Sequence, residues 1–241
     1  MIIYQQPAYV LHSRPYRETS LLLTFFTPEQ GKQLATVRGV RSNSKAARQK
    51  QAWLQPFQPL QLQWRGQEHT NSEWINPQSF EPQGQGHLLT GEANLCGLYL
   101  NELLYRLLQP CSSMEGLFDS YQNTLRALAA TQERALLAWY LRQFELALLT
   151  DLGYELDLSQ DAQHQPIDQQ ACYGYQYQVG LVRLDKPQPT EWHLSGDCVL
   201  KLIEQEFCPN CLSAWKQLMR RVLQPHLGIK PLATRQLFKS L

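Results

Sequence analysis

The chain has 241 residues, 43% of them hydrophobic, and a formal net charge of +1. It can bury a sizeable core in one large or two modest domains. No segment has the ~18 consecutive apolar residues of a membrane span, and the N-terminus lacks the basic-then-apolar order of a signal peptide, so we expect a cytoplasmic protein without membrane contact.

The charge is distributed unevenly along the chain. Residues 1–80 carry nine basic and four acidic side chains, and residues 207–241 carry six basic and no acidic ones. The remaining residues, 81–206, have a net charge of −10. Two basic ends around an acidic middle predict that one part of the surface attracts a polyanion while another repels it.

The first eighty residues predict short β-strands. Runs rich in Leu, Val, Phe, Tyr and Thr cover residues 8–14, 20–27, 32–39 and 60–66, and turn signals separate them. Residues 27–31, TPEQG, are expected to join the second and third strands as a hairpin. Strands at this spacing indicate a small β-barrel similar to the OB-fold, which binds single-stranded nucleic acid.

A basic segment, residues 32–50, contains no acidic side chain. Gly39 and Ser42–Ser44 interrupt its basic residues, which predicts a mobile loop rather than a helix face. Phosphate neutralisation with counterion release is the commonest reason for such a charge density. A solvated loop that happens to be basic is the alternative.

From about residue 84 the apolar period changes to that of helices. Helices are predicted over residues 87–108, 116–130, 134–153, 195–205, 212–223 and 233–239. Residues 155–193 lose this period and suggest a short hairpin or an irregular insert. The sequence therefore predicts an α+β chain, with an OB-fold domain over residues 1–80 and a helical domain over residues 81–241.

Several segments resemble the RecO family of bacterial recombination mediators. Residues 8–45, AYVLHSRPYRETSLLLTFFTPEQGKQLATVRGVRSNSK, are similar to the N-terminal signature of that family. LQPFQPL at 54–60, LYLNELL at 98–104, RQFELALL at 142–149 with LGY at 152–154, and LGIKPLATRQLF at 227–238 agree with it in the same order. The matches extend over nearly the whole chain.

This resemblance implies a non-enzymatic role in DNA repair by homologous recombination. Such proteins bind single- and double-stranded DNA, anneal complementary strands coated by single-strand-binding protein (SSB), and work with RecR to let RecA replace SSB. It also implies a location at the nucleoid in the bacterial cytoplasm. The sequence contains no phosphate-binding loop, nucleophile elbow or zinc-protease motif. A generic OB-fold DNA-binding protein, or a protein–protein adaptor without annealing activity, is the alternative.

The candidate DNA contacts are basic residues at both ends of the chain. They are Lys32, Arg38, Arg41, Lys45, Arg48 and Lys50, then Arg14 and Arg17, and near the C-terminus Lys216, Arg220 and Arg221. The C-terminal three are either a second phosphate surface or the solvated side of a helix. Trp53, Phe57 and Trp64 are candidates for base stacking or for the barrel core, and the core is favoured for Phe57.

A site for the SSB C-terminal tail is implied once the family is considered. Such a tail ends in acidic residues and an apolar residue with a free carboxylate, so it needs an apolar pocket beside an arginine. Arg142, with Leu141 and Phe144, matches the position where the family carries this role. An ordinary arginine on a helix surface is the alternative.

The cysteines do not form a clear metal motif. Many relatives of this family carry two cysteine pairs after the LGY helix, but the matching stretch here offers only Cys172. Cys208 and Cys211 form a single C-x-x-C, with Cys198 as a further weak candidate. We therefore expect reduced thiols and no cofactor, with zinc as the competing interpretation.

Overall fold

The computed structural model describes residues 2–66, 72–154, 156–188 and 191–238. The chain forms two compact units. Unit 1 comprises Met1–Thr131 and Leu232–Leu241, and unit 2 comprises Gln132–Pro231. None of the helices in the described ranges combines the length and apolarity needed to cross a bilayer.

Unit 1 begins with a three-stranded antiparallel meander. Its strands are β1 (Ile2–Tyr16), β2 (Ser20–Thr27) and β3 (Gly31–Val37). Helix α1 (Lys45–Trp53) follows, and β4 (Leu60–Gly66) then pairs with the first half of β1. The predicted hairpin turn at residues 27–31 is confirmed, because Thr27 pairs with Gly31.

Two short strands join the edges of this sheet. β5 (Trp74–Ile75) pairs in parallel with β3, and β6 (Pro77–Pro82) pairs in antiparallel with β4. Only Asn76 separates them, so one segment contacts both edges and the order is β5-β3-β2-β1-β4-β6. The sheet is curled in this way, as in the predicted OB-fold.

The long strand β1 belongs to both halves of the curled sheet. Residues 2–8 pair with β4, and the residues from Tyr9 onward pair with β2. A β-bulge between Val10 and His12 marks the change, as bulges commonly do where a strand bends. The interior is apolar and includes Ala8, Val10, Leu23, Phe25, Ala35, Leu60, Leu62 and Trp64.

Two helices of unit 1 cover the other face of β1 and β2. They are α2 (Gly91–Leu107) and α3 (Glu115–Ala129), and Phe118 and Tyr121 of α3 contact the rings of Tyr9 and Phe26. Because β2 is covered on both faces, nearly all of its residues are buried. The short helix α7 (Ala233–Leu237) is bound to α2 through the Glu102 carboxylate, which accepts hydrogen bonds from the Ala233 and Thr234 amides.

The described residues of unit 2 form three α-helices and a small sheet. The helices are α4 (Arg134–Asp151), α5 (Gly196–Ile203) and α6 (Leu212–Leu227), and a 3₁₀ turn (Pro209–Cys211) precedes α6. Trp215 of α6 is fully buried, stacks obliquely on Trp139 and donates its indole N–H to the Cys198 carbonyl. The predicted hairpin of the insert is β7 (Cys172–Gln176) and β8 (Gly180–Leu184), and β9 (Leu194–Ser195) extends it.

The predicted α+β fold class is confirmed, with two corrections. The basic segment is not wholly a loop, because residues 45–53 form α1. The prediction also missed strands β5 and β6. The predicted boundary between residues 80 and 81 stays a prediction, although by contacts α2 and α3 group with the sheet. The predicted last helix runs to Lys239, which lies outside the described residues.

Candidate nucleic-acid interface

Backbone contacts bring two basic loops of unit 1 together. Arg41, in the loop after β3, donates its amide to the Thr19 carbonyl at 3.0 Å. Its guanidinium donates to the Arg17 carbonyl at 3.1 Å. The turn between β1 and β2 is therefore fixed beside the loop that follows β3, and Arg17 and Arg41 lie at one edge of the barrel.

Helix α1 carries three further cations from the same segment. Ser44 caps the helix, its hydroxyl accepting the Ala47 amide at 3.1 Å. Ala47 is the buried residue of α1, whereas Lys45, Arg48 and Lys50 are exposed. The first turn contains no acidic residue, so the positive end of the helix dipole favours an anion such as a phosphate there.

We call the exposed cations of this region the basic edge: Arg17, Arg38, Arg41, Lys45, Arg48 and Lys50. Within the described ranges, none of them forms an ion pair with a carboxylate. Exposed like charges without acidic partners repel each other, and a bound polyanion would relieve that repulsion.

Lys32 lies apart from the basic edge. It is at the start of β3 and Arg38 follows its end, so the two are about 20 Å apart at 3.3 Å per residue. The Lys32 ammonium donates to the Tyr105 carbonyl at 3.2 Å. Burial lowers its pKa, an effect that Glu73 partly opposes. The prediction grouped Lys32 with the loop cations, but its contacts are those of a residue joining β3 to α2.

The aromatic residues proposed for base stacking are not exposed. Phe57 and Trp64 are buried, and Trp64 stacks on Tyr4 at 5.1 Å between ring centroids. Trp53 is half-buried and contacts the edge of Phe80. The core interpretation therefore holds for these residues. Among the described residues of unit 1, the exposed Tyr and Trp side chains are instead Tyr16, Trp74 and Tyr105. The sequence interpretation missed them because strand and helix periodicity do not show which face is covered.

The C-terminal cations lie on α6 in unit 2, where Lys216, Arg220 and Arg221 are all exposed. Arg221 lies over the Trp192 ring, 4.2 Å from its centroid, and donates to the Gln217 carbonyl. The pKa of Lys216 is lowered, first by partial loss of hydration and then by Arg220, Arg142 and Arg134. Lys216, Arg220 and Arg221 therefore form a second exposed basic surface, on unit 2.

Arg142 is buried in an ion pair. Its Nε and Nη2 atoms lie 2.7 Å from the two carboxylate oxygens of Glu145, and only 5% of Arg142 is exposed. Leu141 and Phe144 are buried as well. The sequence argument treated Arg142 as an isolated cation, but Glu145, one helical turn away, compensates its charge.

Only some of the candidate metal ligands lie close together. Cys198 and Cys211 form a disulfide between the start of α5 and the start of α6, so two of the six cysteines are not the reduced thiols we expected. Asp197 lies beside them, its ligand atom within 4.8 Å of both sulfurs. Cys172 and Cys208 do not belong to this cluster. Zinc binding would require the disulfide to be reduced, and it stays a prediction.

Comparisons with known proteins give the family of this chain. The family described as Recombination protein O N terminal matches residues 1–78, and Recombination protein O C terminal matches residues 88–236. The chain is similar to the DNA repair protein RecO of Pseudomonas putida (strain GB-1), with 41% identity over 98% of this chain and 97% of that protein. It is 39% identical to the DNA repair protein RecO of Dechloromonas aromatica (strain RCB), over 98% of this chain and 95% of that protein. Because both family descriptions and full-length relatives agree, the chain belongs to the RecO family of DNA repair and recombination proteins.

Proposed function

We propose that this protein binds single- and double-stranded DNA and anneals complementary strands coated by SSB. The observation that carries this proposal is the basic edge, where the Arg41 contacts with residues 17 and 19 hold cations from two loops and α1 together. These cations are exposed and suit a phosphate backbone, which is read by charge and not by sequence.

Annealing at such a surface requires no covalent chemistry. Two complementary strands repel through their phosphates, and cations that neutralise those phosphates lower the repulsion while the base edges stay available for pairing. The basic surface of each unit can contribute to this. In this proposal the protein is a mediator and not an enzyme, it works with RecR to promote the loading of RecA, and it acts at the nucleoid in the bacterial cytoplasm.

The SSB tail is proposed to bind unit 2 at α4 and α6. Lys216 and Arg220 are exposed, so they can meet an acidic tail while Arg142 stays paired with Glu145 behind them. Phe207 is 36% exposed and contacts Trp139, with 6.3 Å between the ring centroids. Trp139 precedes Arg142 by one helical turn, so Phe207 adds an apolar surface near the ion pair. An acidic, apolar C-terminus needs this combination of cation and apolar contact.

Salt dependence of DNA affinity tests the basic edge. Neutralising Arg41, Lys45 and Arg48 to Gln should weaken binding to a labelled single strand and lower the slope of log affinity against log salt by about 2, at about 0.7 per phosphate. The matched control removes three exposed cations elsewhere, Arg126, Lys186 and Lys230. Equal losses in both variants would contradict a local site, and so would an unchanged slope in the first.

Annealing itself separates the proposed function from its alternative. Two complementary oligonucleotides are mixed with the protein, with and without an SSB coating, and duplex formation is followed by fluorescence. Acceleration of pairing on coated strands supports the mediator function. Salt-sensitive binding without acceleration would instead support a generic DNA-binding protein, and binding of proteins without DNA would support an adaptor.

Tail binding is tested with a labelled peptide of the SSB C-terminus. Changing Lys216 and Arg220 to Ala should weaken binding at least about tenfold, since charge-assisted contacts contribute about 1.5–3 kcal/mol each. Lys230→Ala, another exposed cation of unit 2, is the control. Arg142→Ala should also weaken the tail without changing affinity for naked DNA, because loss of the ion pair with Glu145 disturbs the helix surface that carries the tail site. Loss of both affinities in that variant would indicate misfolding or a shared site.

A further inference from the structure

Alternate residues of β1 form a row on the outer face of the barrel. His12, Arg14 and Tyr16 pair with Thr24, Leu22 and Ser20 of β2 and, at a spacing of two, point to the same side of the sheet. All three are exposed. At about 3.3 Å per residue the row is about 13 Å long, and it combines two aromatic rings with a guanidinium between them.

A ring from helix α2 completes this row. The bulge after Val10 interrupts the ladder of β1 with β2, and the buried Asn101 side chain donates to the Val10 carbonyl at 3.3 Å. Tyr105 follows Asn101 by four residues, so it lies on the same side of α2. Its ring stacks on His12, with 4.6 Å between centroids and an interplanar angle of 24°. The bulge and Asn101 therefore position Tyr105 beside β1.

The row keeps its aromatic surface in contact with water. Tyr16 is 39% exposed and Tyr105 is 37% exposed. The Arg17 guanidinium lies 5.3 Å from the centre of the Tyr16 ring, and the Arg17 carbonyl accepts from Arg41. The rings are thus continuous with the cations of the basic edge, and aromatic platforms beside cations are the combination that proteins use for single strands.

The environment of His12 favours its uncharged form, which suits stacking at neutral pH. Partial burial lowers its pKa, and the neighbouring Arg14 lowers it further. The lowered pKa favours the neutral imidazole, which presents an uncharged aromatic face next to Tyr105. The positive charge of the row belongs to Arg14 and, at its end, to Arg17, where phosphates can reach it.

We propose that Tyr105, His12 and Tyr16 form a stacking surface for the unpaired bases of a single strand whose phosphates contact Arg14, Arg17 and Arg41. This inference rests on the proposed DNA binding and adds a preference for exposed bases over paired ones. Stacked bases keep their pairing edges free, so a strand held in this way stays competent to meet its complement.

The test compares two labelled ligands of equal length and charge, oligo(dT) and an abasic oligodeoxynucleotide. Tyr16→Ala and Tyr105→Ala should each weaken oligo(dT) binding by about 5- to 150-fold, the range for loss of one stacked base. Tyr16→Phe and Tyr105→Phe should bind like the unchanged protein, because the ring is kept. All four variants should bind the abasic ligand as the unchanged protein does, with the same salt slope.

Tyr177→Ala, which removes a 45% exposed tyrosine from unit 2, is the matched control and should change neither affinity. Equal losses on both ligands would overturn the stacking role and point to a fold or charge effect. Unchanged oligo(dT) affinity in both Ala variants would overturn the stacking role as well. In that case, binding of the abasic ligand by the unchanged protein would still support phosphate contacts at the basic edge. Failure of the unchanged protein to bind either ligand would overturn the proposed function, and this inference with it.

Discussion

One ion pair on α4 of unit 2 buries two charged side chains. Arg142 and Glu145 are 5% and 1% exposed, and both carboxylate oxygens lie 2.7 Å from guanidinium nitrogens. Taking charges out of water is costly, so a buried pair is stable only while both partners are present. This pair holds the helix surface on which we propose that the SSB tail binds.

Removing one partner of this pair should destabilise unit 2 strongly. Glu145→Gln leaves a buried guanidinium without its counter-charge, for which we expect a loss of about 3–5 kcal/mol in the free energy of unfolding. Replacing both residues by Met should cost much less, because no unpaired charge remains. Urea denaturation of the two variants checks this. A loss in the double variant as large as in Glu145→Gln would contradict it.

At the scale of elements, covalent and polar contacts decide how neighbouring segments are held. The Cys198–Cys211 disulfide joins α5 to the start of α6 across a sequence separation of 13, next to the indole hydrogen bond from Trp215 to the Cys198 carbonyl. In unit 1, Asn101 holds α2 to the bulge of β1, and the Tyr121 hydroxyl donates to its side-chain oxygen at 2.6 Å.

Reduction of the disulfide should lower the stability of unit 2. Closing a loop of this length restricts the unfolded chain by about 3 kcal/mol, so we expect a loss of about this size with a reducing agent or in Cys198→Ser. Thiol titration before and after reduction should show two additional thiols. Cys172→Ser, outside the disulfide, is the control. Equal stability of the oxidised and reduced protein would contradict a stabilising role.

At the scale of the whole molecule, charge and protonation act through many residues together. Three histidines, His12 and His87 in unit 1 and His226 in unit 2, have a lowered pKa, for which burial is the main cause. His226 is packed against Tyr154, with 3.7 Å between ring centroids. The folded chain therefore resists protonation of groups that the unfolded chain protonates readily.

The free energy of unfolding should consequently decrease as the pH falls from 7.5 to 5.5. Below the unfolded histidine pKa of about 6.5 the unfolded chain binds more protons than the folded one, so acid favours unfolding. This window lies above the range in which most carboxylates titrate. Urea denaturation across it measures the effect, and a variant with all three histidines changed to Gln should show a smaller slope. A stability that rises toward pH 5.5 would contradict the prediction.

Much of the fold could be predicted from local patterns. Strand β2 matches its predicted residues, and helices α2 to α6 lie within a few residues of theirs, because alternation and helical periodicity are properties of adjacent side chains. Helix α1 was missed, since Gly39 and Ser42–Ser44 indicated a loop and the helix itself, KAARQKQAW, has too few apolar residues to show a clear helical period. β5 and β6 were missed because two- and six-residue edge strands carry little periodic signal.

The sequence by itself determined the composition of the basic ends, the order of most strands and helices, and the motifs that resemble RecO. The tertiary structure alone decided which of those residues meet. It placed the Arg41 guanidinium on the carbonyl of Arg17 and brought the Tyr105 ring onto His12 across 93 positions of the chain. Local patterns depend on neighbours in sequence. These contacts depend instead on the bulge of β1 after Val10, the buried amide of Asn101 and the curling of the sheet in unit 1, which arise only when distant segments pack together.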